Sequence, residues 1–169
     1  IRDRSGTFPD GLKPFRPIPP QGAGYAKAPP SACIPGFMPG VKAIHKKFGT
    51  MKWDRLCRDA IKWADEGHPV STLEYGMNFW GLDFLTYFPS GRHFYMPGGH
   101  FKSVGERFGS KDMAETLRGV ARYGPDHMIS GKWAEEFVST ANAMGWKIKM
   151  KHMTETPPVW VEPVPVSYT

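Results

Sequence analysis

Between Pro35 and Ser71 the chain reads PGFMPGVKAIHKKFGTMKWDRLCRDAIKWADEGHPVS, and two helices are legible in it, each with its own start and stop. The first runs from about Pro39 to Phe48. Pro39 fits the first turn, where its missing N–H costs nothing. Gly49 is placed to supply a left-handed stop. The second runs from about Trp53 to Glu66, where Trp53, Leu56, Cys57, Ala60, Ile61 and Ala64 recur at helical spacing and form one face. Arg55, Arg58, Asp59, Lys62 and Asp65 lie largely off that face. Gly67, with Pro69 just beyond, ends it. A segment punctuated this way restricts the fold to short helices of fixed length, each packing by one side.

The rest of the chain continues in that manner. Ser71 or Thr72 is placed to cap a third helix reaching to about Phe88. That helix is apolar on several sides, through Leu73, Tyr75, Met77, Phe79, Trp80, Leu82, Phe84 and Leu85. Such a segment is buried in a large core or at a subunit interface. Pro89 to Gly109 reads as a glycine-rich loop carrying His93 and His100. A fourth helix is expected over Lys111–Tyr123, capped by Ser110 and stopped by Gly124–Pro125. A fifth is expected over Gly131–Met144, capped by Ser130 and stopped by Gly145. Its apolar face is Trp133, Ala134, Phe137, Val138, Ala141 and Met144.

The two ends differ from this middle. Prolines and glycines recur every few residues through the first 34 positions and exclude regular helix and central strand there. Phe8, Phe15 and Tyr25 imply that this arm packs against something. Near the other end, Lys147, Lys149 and Lys151 alternate with Ile148 and Met150, like the wet face of a strand. Val159 to Tyr168 reads as an edge strand interrupted by prolines. The expected organisation is one partial domain over 1–169: an extended Pro/Gly-rich arm at 1–38, a helical region at 39–145 and a strand-like tail at 146–169.

Charge and chemistry-bearing residues narrow the function classes. A net charge of +6 admits a basic non-catalytic module that binds nucleic acid or another polyanion. The basic residues are spread along the chain and no nucleic-acid motif accompanies them, so a solvated basic surface is preferred and no nucleic-acid partner is expected. Cys33 and Cys57 have no metal-ligand spacing, and Cys57 falls on the apolar helix face as a small core residue. His68, His93 and His100 are scattered in expected loops, so neither a metal nor another cofactor is expected. The pairs Asp65–Glu66 and Glu135–Glu136 sit on helices, where neighbours diverge, so they make poor acid–base pairs. The six tryptophans sit mostly at core spacing, which favours packing over a binding surface. No apolar run reaches the roughly 20 residues that cross a bilayer. No signal-peptide pattern is present, and the first residue, Ile1, leaves room for an upstream piece; the compartment stays open.

Five segments, in order, resemble the large subunit of the γ-glutamyltranspeptidase family and its acylase-like branch, which are N-terminal-nucleophile hydrolases. RSGTFP at 4–9 is similar to a turn that reads like SGRAP in the acylase-like members. IPGFMPG at 34–40 resembles the family's PG-x-x-x-G helix start. FGTMKWDRLCRDAIKWADEGHPVS at 48–71 is similar to its G-T…A-I-x-x-A-x-x-G-x-x-V pattern. KDMAETLRGVARYGPDHMISGKWAEEFVSTANAMG at 111–145 is similar to its L-A-x-T-L…G-P-D-x-F-x-x-G…A-E-x-I run. VWVEPVPVSY at 159–168 resembles the strand that closes the region. Each glycine or proline alone is weak evidence. Their ordered recurrence with matching helix lengths is much stronger.

The resemblance implies a fold class of α+β: the helical outer part of an αββα sandwich, with two or three strands in this chain and the sheets supplied mostly by partner chains. It implies an amide-cleaving enzyme whose nucleophile is the N-terminal threonine of a small subunit, freed by self-cleavage. The α-amino group, which ordinarily titrates at about pH 8, activates the neighbouring hydroxyl, which attacks the carbonyl of a small-molecule amide. Backbone N–H groups then stabilise the oxyanion. No residue here resembles that nucleophile, so every catalytic residue is expected outside this chain, which would be inactive alone. In transpeptidases an arginine in an R-E-T-A-P turn grips the substrate's α-carboxylate, a task suited to a bidentate guanidinium. Aligned on Pro9, that arginine falls at Ser5, and the arginine of the SGRAP form falls at Thr7. Arg4 lies one position away. Arg16, in FRPIPP, is too close to the PG motif for the family's spacing. Arg4, Ser5 and Thr7 are therefore the substrate-binding candidates, and their departure from the family pattern implies an acylase or amidohydrolase acting on an acyl group other than γ-glutamyl.

Overall fold

Periodic apolar residues, glycine stops and hydroxyl caps do produce a mostly helical chain. In a computed structural model that describes residues 6–7, 33–155 and 158–167, the elements follow in order. They are β1 (Gly6–Thr7), β2 (Ile34–Pro35), α1 (Phe37–Phe48), α2 (Trp53–Glu66), β3 (His68–Pro69), α3 (Thr72–Trp80) and α4 (Leu82–Leu85). Then come α5 (Pro89–Tyr95), β4 (Arg107–Phe108), α6 (Lys111–Tyr123), α7 (His127–Ser130), α8 (Lys132–Ala143) and a 3-10 turn, Met150–Met153. The strands form two short antiparallel ladders. Gly6 faces Pro35 and Thr7 faces Ile34 in one; His68 faces Phe108 and Pro69 faces Arg107 in the other. The balance is that of an α+β chain, as the sequence implied.

The chain divides into two units. The first holds β1, β2, α1, the start of α2, the end of α6, α7, α8 and the segment beyond. Its core is set by the apolar face of α8, where Ala134 and Ala141 are buried against Ile34, Trp146, Ile148 and Met153. Trp133, Phe137 and Val138 extend that packing. Asn142 ties the returning chain to the helix: its Nδ2 donates to the carbonyls of Val138 (2.7 Å) and Ile148 (2.9 Å). From Trp146 onward the expected alternation is present, with Trp146 and Ile148 buried and Lys147 and Lys149 exposed. It is not a strand, however. Among the described residues no neighbour pairs with this run, and the Ile148 N–H bonds to the carbonyl of Trp146 two residues back (2.9 Å) before the chain turns into the 3-10 segment.

Two caps in this unit differ from expectation. Gly49 is not left-handed; its φ of −71° and ψ of 130° are extended. Glycine is needed there for space, because a Cβ would collide with the ring and carbonyl of His45. Ser130 does not cap α8. Its hydroxyl donates back to the Asp126 carbonyl (2.9 Å) and closes the short α7, leaving Gly131 as the N-cap without a side-chain bond.

The second unit holds the rest of α2, β3, α3, α4, α5, β4 and most of α6. Cys57 is buried on the apolar face of α2, as its spacing indicated. Gly67 ends that helix with a φ of +78°, the left-handed conformation that favours glycine. Gly109 then passes so close that a Cβ would lie 2.7 Å from Gly67 Cα. Ser110 caps α6, accepting from Met113 N at 3.1 Å, and Ser71 caps α3, accepting from Glu74 N at 3.1 Å.

The long third helix is the main correction. It stops at Trp80, because Gly81 leaves the helical geometry (φ −87°, ψ 7°) while still bonding its N–H to the Met77 carbonyl. The chain restarts as α4. Pro89 then forces Phe88 into an extended conformation and opens α5 at its favoured first position, within what reads as a loop. Most of α3 is also exposed, including Leu73, Met77, Phe79 and Trp80. In the tail of the first unit, residues 159–167 form no ladder beyond a single bridge at Val159. Pro163 and Pro165 remove donors there, and the valines stand in solvent.

Candidate functional site

Of the three substrate-binding candidates, Arg4 and Ser5 lie outside the described residues, and for Thr7 only the backbone is described. That backbone sits in β1 opposite Ile34, whose side chain is only 2% exposed in the main core of the first unit. A slip of one residue would turn Ile34 out of the core, so burial of Ile34 fixes the register of this pair. The structure thus sets Gly6–Thr7, from the first quoted motif, beside Ile34–Pro35, from the second.

In the first unit several polar side chains are tied to one another or to backbone. Lys42 on α1 pairs with Asp126, which follows Gly124–Pro125. Nothing in the sequence flags this pair, because its members are 84 positions apart. His45 Nε2 lies 2.8 Å from the Met51 carbonyl, and its ring meets Trp53 edge-on at 5.3 Å. Trp53 Nε1 donates to the Val120 carbonyl (2.8 Å), fastening the start of α2 to the end of α6. His127 fills a slot that explains two glycines of the motif region. A Cβ at Gly131 would lie 2.7 Å from the His127 ring, and one at Gly119 would collide with it. These contacts fix the positions of the helices.

The second unit shows the same pattern. Asp65, whose carboxylate accepts from Lys111 Nζ (2.7 Å) and Arg118 Nη2 (2.6 Å), joins α2 to α6. The Lys111 hydrogen bond, followed by that of Arg118, holds the Asp65 carboxyl below the usual carboxylate range. Glu106 is lowered too, chiefly by the Ser103 backbone N–H at 2.6 Å. His68 is not a solvated loop residue; its Nε2 contacts both Glu74 oxygens, at 3.0 and 2.9 Å.

What such an arrangement can do chemically is limited. The hydroxyls of Ser71, Thr86, Ser110, Thr116 and Ser130 all bond to backbone groups of their own helices, not to a base. Among the described residues no three His, Cys, Asp or Glu side chains converge as metal ligands. No described helix is long and apolar enough to cross a membrane. One open cleft of about 590 Å³ lies between Ile44, Lys47, Phe48 and Trp160–Pro163. There Lys47 Nζ sits 4.1 Å above the Trp160 ring. The cation is thus already occupied by an aromatic face within the chain.

Comparison with known proteins gives this geometry a context. The family model of γ-glutamyltranspeptidase matches residues 20–169. Four of the five quoted segments fall inside that match, and RSGTFP at 4–9 falls before it. The glutathione hydrolase proenzyme 1 of Schizosaccharomyces pombe is 29% identical over 135 residues, covering 79% of this chain and 21% of that protein. The γ-glutamyltranspeptidase of Helicobacter pylori superposes with a TM-score of 0.68 at 27% identity, over 73% of this chain and 36% of that one. A cephalosporin acylase from Bacillus halodurans shares the fold over 97% of this chain and 32% of its own, with a TM-score of 0.79 and 22% identity. The chain spans only about a fifth to a quarter of the curated relatives that it matches first, 21% and 24%.

Proposed function

The chain belongs to the γ-glutamyltranspeptidase family, and on that premise we propose that it is a non-nucleophilic part of the large subunit of a self-processing amide hydrolase or acyltransferase. The observation that carries the reading is the family match over residues 20–169, in a chain that spans 21% of the first relative's length. A partner chain with an N-terminal threonine supplies nucleophile and base. The amide is cleaved through an acyl-enzyme that passes to water or an amine. Helices of this chain support that site from outside. The chain alone is inactive. Native mass spectrometry of the assembled enzyme tests the reading. A stable monomer with no partner bearing an N-terminal Thr, Ser or Cys overturns it.

Specificity follows from the turn at Ser5 and Thr7. Neutral side chains there leave the pocket without the family's fixed cation. A γ-glutamyl substrate would have its α-carboxylate desolvated with no charged partner, which typically costs about 2–5 kcal/mol. That is roughly 30-fold to several-thousand-fold in rate or affinity. The assembled enzyme therefore prefers amides that lack this α-amino acid group. Turnover of γ-glutamyl-p-nitroanilide against simple acyl anilides measures the preference. Efficient, selective glutamyl turnover refutes it, unless Arg4→Ala or Arg16→Ala abolishes that turnover and so identifies a substitute cation.

A further inference from the structure

Asp126 stands at the N-cap of α7, where an aspartate side chain ordinarily accepts from a backbone N–H two or three residues on. It makes no such bond here. Its carboxylate is turned instead to Lys42 Nζ on α1. The backbone that carries it is firmly held. The Asp126 carbonyl accepts from Ile129 N (3.0 Å), Ser130 N (2.9 Å) and Ser130 Oγ (2.9 Å). The ring of the next residue, His127, fills the space that Gly119 and Gly131 leave open. Lys42 therefore meets an anion fixed in place.

Helix α1 is the less anchored of the two partners. Gly40 is its one fully buried residue, so little core packing dictates how the helix lies. What precedes it gives that orientation a consequence. Only Gly36 separates α1 from β2, and the Gly36 carbonyl accepts from Gly40 N (3.3 Å). β2 in turn pairs with β1, where Ile34 faces Thr7. A force that fixes α1 thus acts on the strand holding the Thr7 backbone, through one glycine and one ladder.

We propose that Asp126 and Lys42 are positioning residues for the substrate-binding segment around β1, acting through α1 and β2. The proposal rests on the reading that this segment meets the substrate. Burial of Ile34 sets the register of the ladder, and the ion pair sets how α1 leaves it. Both side chains are about half exposed, so the pair shifts an equilibrium by about two- to fivefold.

The experiment uses the complete self-processed enzyme that contains the chain, with the native sequence, Asp126→Asn, Lys42→Met and the two together. Hydrogen exchange over β1 and β2 is read by mass spectrometry, beside the kinetics of acyl anilide hydrolysis. Each single substitution speeds that exchange about two- to fivefold and raises KM by a similar factor, with kcat within about twofold of native. The double variant is no worse than either single one, because both remove the same interaction. Glu136→Gln, which cuts a pair with Lys132 within α8, changes neither readout. A merely structural role lowers the melting midpoint and leaves KM and the exchange at β1 and β2 unmoved, and that result overturns the proposal. Additive effects of the two substitutions, or a fall in kcat at constant KM, overturn it as well. Failure of the functional reading looks different. A native particle with no amidase activity, in which Asp126→Asn still speeds exchange at β1 and β2, refutes that reading and keeps the link from the ion pair to β1. An active enzyme without the exchange effect refutes the link alone.

Discussion

Helices α8 and α3 are built from similar material and end up opposite. α8, KWAEEFVSTANA, sends Trp133, Ala134, Phe137, Val138 and Ala141 toward the core and leaves Glu135, Glu136, Ser139 and Thr140 outside. α3, TLEYGMNFW, sends Glu74 and Asn78 toward its own unit and leaves Leu73, Met77 and Phe79 outside. The difference lies in how much polar residue there is to define an outer face. α8 has a continuous polar arc, so burying the opposite side satisfies every group at once. In α3 the polar side chains are few, and Glu74 is held locally, its N–H by the Ser71 cap and its carboxylate by His68. An apolar excess can therefore stay in solvent when this chain is alone.

The largest test of the contrast is in the core around α8. Trp146 is only 4% exposed and closes the cluster formed by Ala134, Ala141 and Ile148. Trp146→Ala should cost about 3–5 kcal/mol, read from the urea midpoint of the chain. A loss under about 1.5 kcal/mol would mean that this cluster is no tighter than the exposed face of α3.

Capping gives the next effect, and it reverses the ranking. Ser71 accepts from Glu74 N, so Ser71→Ala should cost about 1 kcal/mol. Ser130 only returns a bond to the Asp126 carbonyl, so Ser130→Ala should cost less than about 0.5 kcal/mol. Equal losses in the two urea titrations would show that hydroxyl caps do not distinguish these helix starts.

The same two helices mark where reading the sequence succeeds. The bounds of α2 and α6 and the caps Ser71 and Ser110 were legible because each depends on a few adjacent residues. The break at Gly81 was not, since an isolated glycine in an apolar run is also compatible with a continuing helix. Alternation at Trp146–Met150 gave the right residues their burial but the wrong element, because period two describes any extended run packed on one side, with or without a ladder partner. At Gly49 the residue was right and the reason wrong, since the crowding by His45 depends on a side-chain placement that no local pattern encodes. Around β1, the alignment of Arg4, Ser5 and Thr7 came from motif resemblance, and of these residues only the Thr7 backbone is described.

A smaller effect concerns how the second unit is held. Asp65 has a depressed carboxyl, through Lys111 and then Arg118, so it binds its proton less readily folded than unfolded. Its stabilisation is complete above the unfolded carboxylate pKa of about 3.9 and is lost as the pH falls through the lower folded value. Urea midpoints measured from about pH 5 down to about pH 2 should decline less in Asp65→Asn than in the native chain. Because the partners Lys111 and Arg118 are exposed, the difference should also shrink with added salt. Parallel pH profiles would show that this bridge contributes nothing.

The smallest effect is the most discriminating for α3. Leu73 is 75% exposed, so Leu73→Ser returns little apolar surface to water and loses mainly helix propensity, about 0.5 kcal/mol. A buried leucine cut back to a small polar residue would instead lose its transfer free energy and leave a cavity, about 2–5 kcal/mol. Urea denaturation of the isolated chain separates these cases. A loss of about 2 kcal/mol or more would show that Leu73 packs within the chain, and the outward roll of α3 would have to be abandoned. A near-neutral result leaves the surface intact as a surface. The same substitution in the complete enzyme then becomes informative, because a residue that is silent alone and costly in the assembly owes its energy to a partner.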